Sequence, residues 1–328
     1  MNVAMKIGIV GAGILGLMTA RQFLRADCKN QVVLFERAPD VEHLLGGTSW
    51  GDTRTIRPAE NRDGVGENVA DWHQTIVELA LAPRYWRAVP VLRYLSVRAG
   101  GTRMEPGILV DTVGLLAALL TELEDTNRFS ARWGSEVAKI DADQRLISVA
   151  GHTQHHGPFR QIVIAAGSGS RDFAPSDAGE PTVVSQPCAH LRSSLPYGTP
   201  HAFAPFNSDE SFGTVWGTPA TAQRRAKISA SIFATTACIR HARQRQRERE
   251  SHLRAMLWRV LPRFEIGQID HWSYPTYMET VTHQHEIEIA RWSRGCVAVL
   301  SDGGGAFKVA PSVSRYIFNS TTQTGNGS

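Results

Sequence analysis

Gly11, Gly13 and Gly16 directly follow the apolar run Ile7-Gly8-Ile9-Val10, at the spacing that lets a strand turn tightly into a helix. The first glycine permits the turn, the second lets backbone approach a pyrophosphate, and the third brings helix and sheet together. The helix opened by Ile14 and Leu15 offers N–H groups and a positive dipole end to phosphates, and Leu17, Ala20, Phe23 and Leu24 form its inward stripe. A second strand, Gln31-Val32-Val33-Leu34-Phe35, delivers Glu36 twenty residues beyond Gly16. A carboxylate there accepts hydrogen bonds from both hydroxyls of an adenosine ribose and repels a ribose 2′-phosphate, a repulsion that the neighbouring Arg37 softens. Dinucleotide binding is the first expectation.

Such a cradle needs a parallel sheet, and the chain supplies its strands in separated pieces. Residues 1 to about 45 form the opening βαβ unit, and a glycine-rich loop carrying Ser49 and Arg54 follows. Val69, Trp72, Ile76, Leu79 and Leu81 predict a helix over 68–82. Pro83 and Pro90 bracket a change of direction, and Val91 to Val97 alternates as a strand that Gly100-Gly101 ends. Asp111 is placed to cap a helix built on Val113, Leu115, Leu116, Leu119 and Leu120. Val137–Ile140 and Leu146–Val149 read as a hairpin. Gln161 to Ile164 is a short buried strand running into Ala165-Ala166-Gly167, where backbone passes against a bound cofactor.

Further on, Phe212–Trp216 and Ala226–Phe233 read as strands, and Leu253, Met256, Leu257 and Val260 as one helical stripe. Cys296 to Leu300 forms a buried strand that enters Gly303-Gly304-Gly305-Ala306-Phe307-Lys308, with a helix over Val309–Phe318. The expected fold class is α/β. A Rossmann-like FAD-binding domain is assembled from 1–80, 135–185 and 270–319, and it interleaves with a smaller α+β substrate domain from 81–134 and 186–269. Residues 320–328 read as a flexible tail. Interleaving of this kind favours a flavin enzyme over a plain NAD dehydrogenase, by analogy between folds.

Bulk properties narrow the partners. With 328 residues, 42% of them hydrophobic, the chain can bury a large core in two lobes. Its net charge of +4 is too modest to argue for nucleic acid. The basic run Arg240 to Arg249 has no interleaved aromatics for base stacking, so it reads as a solvated surface. No apolar segment reaches the roughly 18 residues of a membrane span. The N-terminal apolar run is read as the first strand, not a secretory signal. Cys28, Cys188, Cys238 and Cys296 form no CxxC pair, which fits a reducing cytoplasm. His283, His285, Glu286 and Glu288 lack the spacing of a full metal set and read as polar positions on an exposed strand.

Three blocks together resemble the monomeric sarcosine oxidase and N-methyltryptophan oxidase group of FAD-dependent amine oxidoreductases, within the glycine oxidase and D-amino-acid oxidase superfamily. They are the opening glycine turn with Glu36, the segment Gly51-Asp52-Thr53-Arg54-Thr55-Ile56-Arg57, and Gly303 to Pro311. Leu257-Trp258-Arg259-Val260-Leu261-Pro262 is a weaker fourth. The resemblance implies non-covalent FAD held by Gly11, Gly13, Ile14, Leu15, Gly16, Glu36, Arg37, Ser49, Arg54, Ala166, Gly167, Gly304, Gly305, Ala306, Phe307 and Lys308. It implies that Arg54 sits beside the flavin, that Arg57 and Lys308 clamp a substrate carboxylate, and that Lys227 activates oxygen. The residue types alone also leave open a solvent-facing Lys227 next to Arg224 and Arg225.

Departures from the group accompany the matches. No cysteine lies between Cys238 and Cys296, so the thioether expected ahead of a segment placed at Tyr277 has no donor. Two family histidines map to Gly305 and Ser231, and the stretch 81–110 is shorter than in the group. The implied activity is oxidation of the C–N bond of a carboxylate-bearing primary or secondary amine to an imine, with O2 reduced to H2O2. A flavin dehydrogenase using another acceptor, or a catalytically impaired FAD-binding partner protein, is the alternative. The expected partners are a small amine or amino acid and O2, with neither nucleic acid nor membrane.

Overall fold

Short apolar runs buried on both faces, separated by amphipathic helices, build the first sheet of this computed structural model. It describes residues 5–46, 49, 53–57, 68–94, 102–173, 182–192, 201–203, 215–221, 224–230, 235–236, 247–248, 250–255, 269–279, 288–301 and 306–322.

β1 (Lys6–Val10) runs into α1 (Ile14–Ala26) and returns as β2 (Gln31–Phe35). Then come β3 (Thr53–Ile56), α2 (Asn68–Glu78), the long hairpin β4 (Trp86–Tyr94) and β5 (Thr102–Asp111), α3 (Thr112–Glu124) and β6 (Phe129–Arg132). β7 (Val137–Asp141), β8 (Leu146–Val149) and β9 (His155–His156) make a small antiparallel sheet before β10 (Gln161–Ile164). β11 (Thr182–Ser185), β12 (Cys188–Leu191), β13 (His201–Phe203), β14 (Val215–Thr218), β15 (Ala226–Ala230), β16 (Thr235–Thr236), β17 (Ile269–Ser273) and β18 (Thr276–Glu279) follow. β19 (Glu288–Ser293), β20 (Cys296–Ser301) and α4 (Ala306–Thr322) complete the described chain.

The first sheet has the order β19-β20-β10-β1-β2-β6. All its neighbours pair in parallel except β19 with β20. One face is covered by α1, which packs against α3 and α4, with Ile9, Leu17, Phe23, Leu119 and Ile317 in the shared core. The other face packs Val10, Phe35, Ile162 and Ile164 against Ile140, Ile147 and Phe159 of the small antiparallel sheet and its exit. Burial on both faces explains why these strands read as unbroken apolar runs.

The second lobe centres on an eight-stranded sheet, β17-β12-β15-β14-β13-β4-β5-β3. It curls until β3 meets β14, where the Thr55 and Thr218 hydroxyls lie 3.4 Å apart. A further sheet, β16-β11-β18, packs through β18 against β20 of the first sheet.

The two-lobe α/β expectation matches this architecture, and its boundaries need correction. β6 pairs with β2 and α3 packs on α1, so 112–132 belongs with the nucleotide sheet and not with the substrate segment 81–134. β3 and β17, expected in the nucleotide domain wholly or in part, pair in the eight-stranded sheet of the second lobe. Pro90 does not turn the chain, because β4 runs through it with Pro106 as its partner. Helix α4 continues to Thr322, so residues 320–322 are not tail.

The predicted cap on α3 forms as expected. The Asp111 carboxylate accepts the N–H groups of Val113 at 3.0 Å and Gly114 at 3.2 Å, and Arg224 Nε approaches it to 3.7 Å. Asp111→Ala is therefore expected to lower stability by about 1–2 kcal/mol. Asp111→Asn keeps a capping oxygen and should lose less, and urea denaturation midpoints would order the two variants.

Candidate functional site

At the C-terminal end of the parallel strands, three glycines serve three separate close approaches. Gly11 holds φ at +105°, and a Cβ there would stand 2.5 Å from the Ala165 carbonyl oxygen at the end of β10. Its N–H donates to the Phe35 carbonyl at 2.8 Å, tying the turn to β2. A Cβ at Gly16 would fall 1.9 Å from the Gly11 carbonyl oxygen, and one at Gly13 would meet Ser49 Oγ at 3.3 Å. Helix α1 starts at Ile14 with no side-chain cap and no acidic residue in its first turn, so its positive end is not neutralised from within. Ile14 and Leu15 are buried beneath it.

Glu36 is fixed across the mouth of this turn. One carboxylate oxygen accepts the Ala12 N–H at 2.8 Å and the other accepts the Ala38 N–H at 3.0 Å. Arg37 beside it is exposed. Beyond β10, the Ala166 N–H donates to Ser170 Oγ at 3.1 Å, and Gly167 adopts φ of +56°. The structure thus gathers Gly11, Gly13, Ile14, Leu15, Gly16, Glu36, Ser49, Ala166 and Gly167 around one end of the sheet. A cradle that a single Cβ would fill, beside an uncapped helix start and a fixed carboxylate, fits the pyrophosphate and ribose of a dinucleotide.

The two arginines come from β3 and the residue just after it. Arg54 pairs opposite Val110, is half-buried, and reaches the Thr53 carbonyl at 3.4 Å. Arg57 follows the strand and is also half-buried. β3 packs against α4, whose first turn holds the buried Ala306 and Phe307 and the half-buried Lys308. That packing brings the arginine segment and the Lys308 turn into one neighbourhood. Gly304 and Gly305 lie outside the described residues.

Trp72 of α2, read from the sequence only as one apolar position in a stripe, belongs to this neighbourhood. It is fully buried, and its indole N–H is shared between the carbonyls of Phe307 at 3.1 Å and Lys308 at 2.9 Å. Its ring stacks on Phe307 with centroids 5.3 Å apart and planes at 11°.

Lys227 is 3% exposed, so the solvent-facing alternative does not hold. It lies in a cross-strand row with His271, His190 and Thr218, and Thr218 meets Thr55 of β3. The flanking arginines are held by other carboxylates. Arg225 pairs with Asp270 at 3.3 Å, while Arg224 approaches Asp111. The hydrogen bond from His271, with Arg225 and Arg192 nearby, holds the Asp270 carboxyl below its ordinary range. His190 escaped the sequence reading. It is buried, lies 2.7 Å from Ser273 Oγ through Nε2, and stacks on His271 at 4.2 Å. A lone histidine in Cys188-Ala189-His190-Leu191 gives no spacing signal, and only the strand register reveals its neighbour.

Burial pushes the Cys296 thiol up to about 12, which makes it a core residue and not a nucleophile. Among the described residues no group of three metal-ligating side chains occurs, and no helix is long and apolar enough to cross a membrane. His283, His285 and Glu286 lie outside the described residues.

Residues 6–96 match the family described as "DAO: FAD dependent oxidoreductase", which assigns the segment carrying the glycine turn, Glu36 and both arginines to that class and makes FAD the dinucleotide its cradle serves. No curated protein sequence matches the chain. Among solved structures, the chain is similar over 100% of its length, and 96% of the other, to NikD, an unusual amino acid oxidase essential for nikkomycin biosynthesis, at 15% identity and TM-score 0.72. It is similar to the deglycating fructosamine oxidase Amadoriase II of Aspergillus fumigatus, covering 98% of this chain and 87% of that one, at 14% identity and TM-score 0.73. Glycine oxidase of Geobacillus kaustophilus gives 13% identity and TM-score 0.65, with 98% and 95% covered. The fold is therefore the Rossmann-like α/β FAD-binding fold interleaved with a smaller substrate-binding domain.

Gly16→Ala would force the turn open, and its Kd for FAD is expected to rise at least about tenfold, roughly the effect of one lost charge-assisted contact. Gly169→Ala, whose Cβ would meet only Ala166 Cβ at an ordinary 3.6 Å, is the control and should bind FAD unchanged. Quenching of free FAD fluorescence measures both.

Proposed function

We propose that this protein is an FAD-dependent amine oxidase acting on a carboxylate-bearing primary or secondary amine, an amino acid or N-alkyl amino acid, close to the sarcosine oxidase group. The observation that carries this reading is the packing of β3 against α4, the helix whose first turn holds Lys308, which supports a site shared by the Arg54–Arg57 segment and Lys308. The solved structures that share the fold include amino acid, glycine and fructosamine oxidases, which supports the same reaction class.

In this reading Gly11, Gly13, Ile14, Leu15 and Gly16 hold the pyrophosphate and Glu36 the ribose, with Arg37, Ser49, Ala166 and Gly167 bordering the nucleotide. Backbone of 304–308 and the Arg54 side chain hold the far end. FAD held there would supply two-electron redox chemistry, by which the substrate's CH–NH unit would lose a hydride from carbon and a proton from nitrogen to become an imine while O2 would be reduced to H2O2.

The chain's own residues bind, orient and supply charge. Arg57 offers two parallel N–H groups to the substrate carboxylate, and Lys308 adds a second cation, so the amine-bearing carbon is fixed in one orientation. Arg54 is a fixed cation where negative charge develops. Lys227 is a preorganised, buried cation suited to stabilising reduced oxygen. A neutral amine can lose hydride without a dedicated base, so no residue takes that role. The free thiols Cys28, Cys188 and Cys296 suit the reducing cytoplasm.

Arg57→Ala and Lys308→Ala should each raise the Kd of a carboxylate substrate about tenfold or more, in line with a lost charge-assisted hydrogen bond. Unchanged binding in both would remove the clamp. Lys227→Met should slow reoxidation by air much more than anaerobic reduction, and stopped-flow absorbance separates the two steps. A screen of amino acids and N-alkyl amino acids for anaerobic bleaching of the bound flavin tests the reaction class. No bleaching by any of them would overturn it.

A further inference from the structure

Helix α4 carries a proline, Pro311, in its second turn. Proline has no N–H, so the Phe307 carbonyl four residues earlier loses the donor that an uninterrupted helix would give it, and the pyrrolidine ring crowds it outward. A buried carbonyl left unmet is costly. Trp72 meets it. Its indole N–H reaches both the Phe307 and Lys308 carbonyls, and the stacked ring on Phe307 fixes the direction of that bond. The neighbouring Asp71 carboxylate accepts from Ser312 Oγ at 2.6 Å and from Arg315 at 2.6 Å. Ser314 Oγ donates to the Pro311 carbonyl at 2.9 Å. Helix α2 therefore grips the first turns of α4 at the point where α4's own ladder is interrupted.

We propose that Trp72 is a positioning residue for Lys308. By replacing the backbone bond that Pro311 removes, it holds the first turn of α4 in the orientation from which Lys308 meets the substrate carboxylate. This inference rests on the reading of Lys308 as a carboxylate ligand. A first helical turn otherwise frays most readily, and here the fraying turn carries the ligand.

The test is calorimetric titration of acetate, the simplest carboxylate, into the FAD-loaded protein. Lys308→Ala must first weaken acetate binding; if it does not, the reading of Lys308 itself fails. Given that weakening, Trp72→Phe, which keeps a ring and loses the donor, should raise the acetate Kd about fivefold with Lys308 present, the scale of one hydrogen bond. In the Lys308→Ala background the same change should have less than about a twofold effect, because contributions made through one residue are not additive. Equal weakening in both backgrounds would show that Trp72 merely supports the fold, and would overturn the proposal.

Pro311→Ala supplies an independent arm by restoring an N–H opposite the Phe307 carbonyl. In that background Trp72→Phe should lose most of its effect, and an undiminished effect would overturn the orphaned-carbonyl argument. If Trp72→Phe alone does not fold, recovery of a folded, FAD-loaded protein in the Trp72→Phe/Pro311→Ala double variant supports the proposal. Failure of that double variant to fold refutes it.

Discussion

A methyl group at position 16 would sit 1.9 Å from the Gly11 carbonyl oxygen, and one at position 11 would sit 2.5 Å from that of Ala165. Helix α1 can lie this close to β1, and β1 this close to the end of β10, because both positions lack a side chain. The consequences reach beyond the turn itself. The close seat of α1 points its N-terminus at the end of the sheet and buries Leu17, Ala20 and Phe23 in the core that α3 and α4 share. Were α1 held further out, that layer would lose contact and the Glu36 carboxylate would lose the Ala12 N–H that fixes one of its oxygens.

The layer built on α1 joins the two ends of the chain. Phe23 meets Phe318 edge to face at 5.2 Å, seating α4 on α1. The buried Arg21 bonds Glu122 of α3 at 2.6 Å and reaches Glu78 of α2 at 3.1 Å, where Arg25 also pairs. Burial alone would raise the Glu78 carboxyl, and the hydrogen bonds from Gln74, Arg25 and Arg21 outweigh it and leave it below its ordinary range. Four helices distant in sequence are thus held as one body behind the cradle. The first turn of α4 takes its place from this body as much as from β20.

What could be read in advance was local. The Asp111 cap and the hairpin at 137–149 depend on neighbours within a few residues, the glycine turn and Glu36 were legible from the spacing of a single βαβ unit, and each formed as that spacing indicated. What could not be read depends on pairing across long separations. Nothing in Phe129-Ser130-Ala131-Arg132 marks it as the edge partner of β2, nearly a hundred residues earlier. Proline usually interrupts pairing, yet in the hairpin Pro90 faces Pro106, and β4 pairs with β5 on either side of it. Trp72 carried an apolar signal that concealed a donor, and His190 carried none until the strand register set it beside Lys227.

The row formed by His271, His190, Lys227 and Thr218 also separates the demands of fold from those of chemistry. It crosses four strands of the curled sheet, beginning at the surface and ending where Thr218 meets Thr55 of the arginine-bearing strand. An ammonium that is 3% exposed gains little stability even when paired, and apolar side chains of similar volume would serve a sheet interior at least as well. In the proposed function the same burial would serve catalysis, because a fixed cation away from water acts on a reacting group far more strongly than one in solvent. The polar row is therefore a poor device for holding the sheet together. It suits the role proposed for Lys227, a cation held near the segment that carries Arg54 and Arg57.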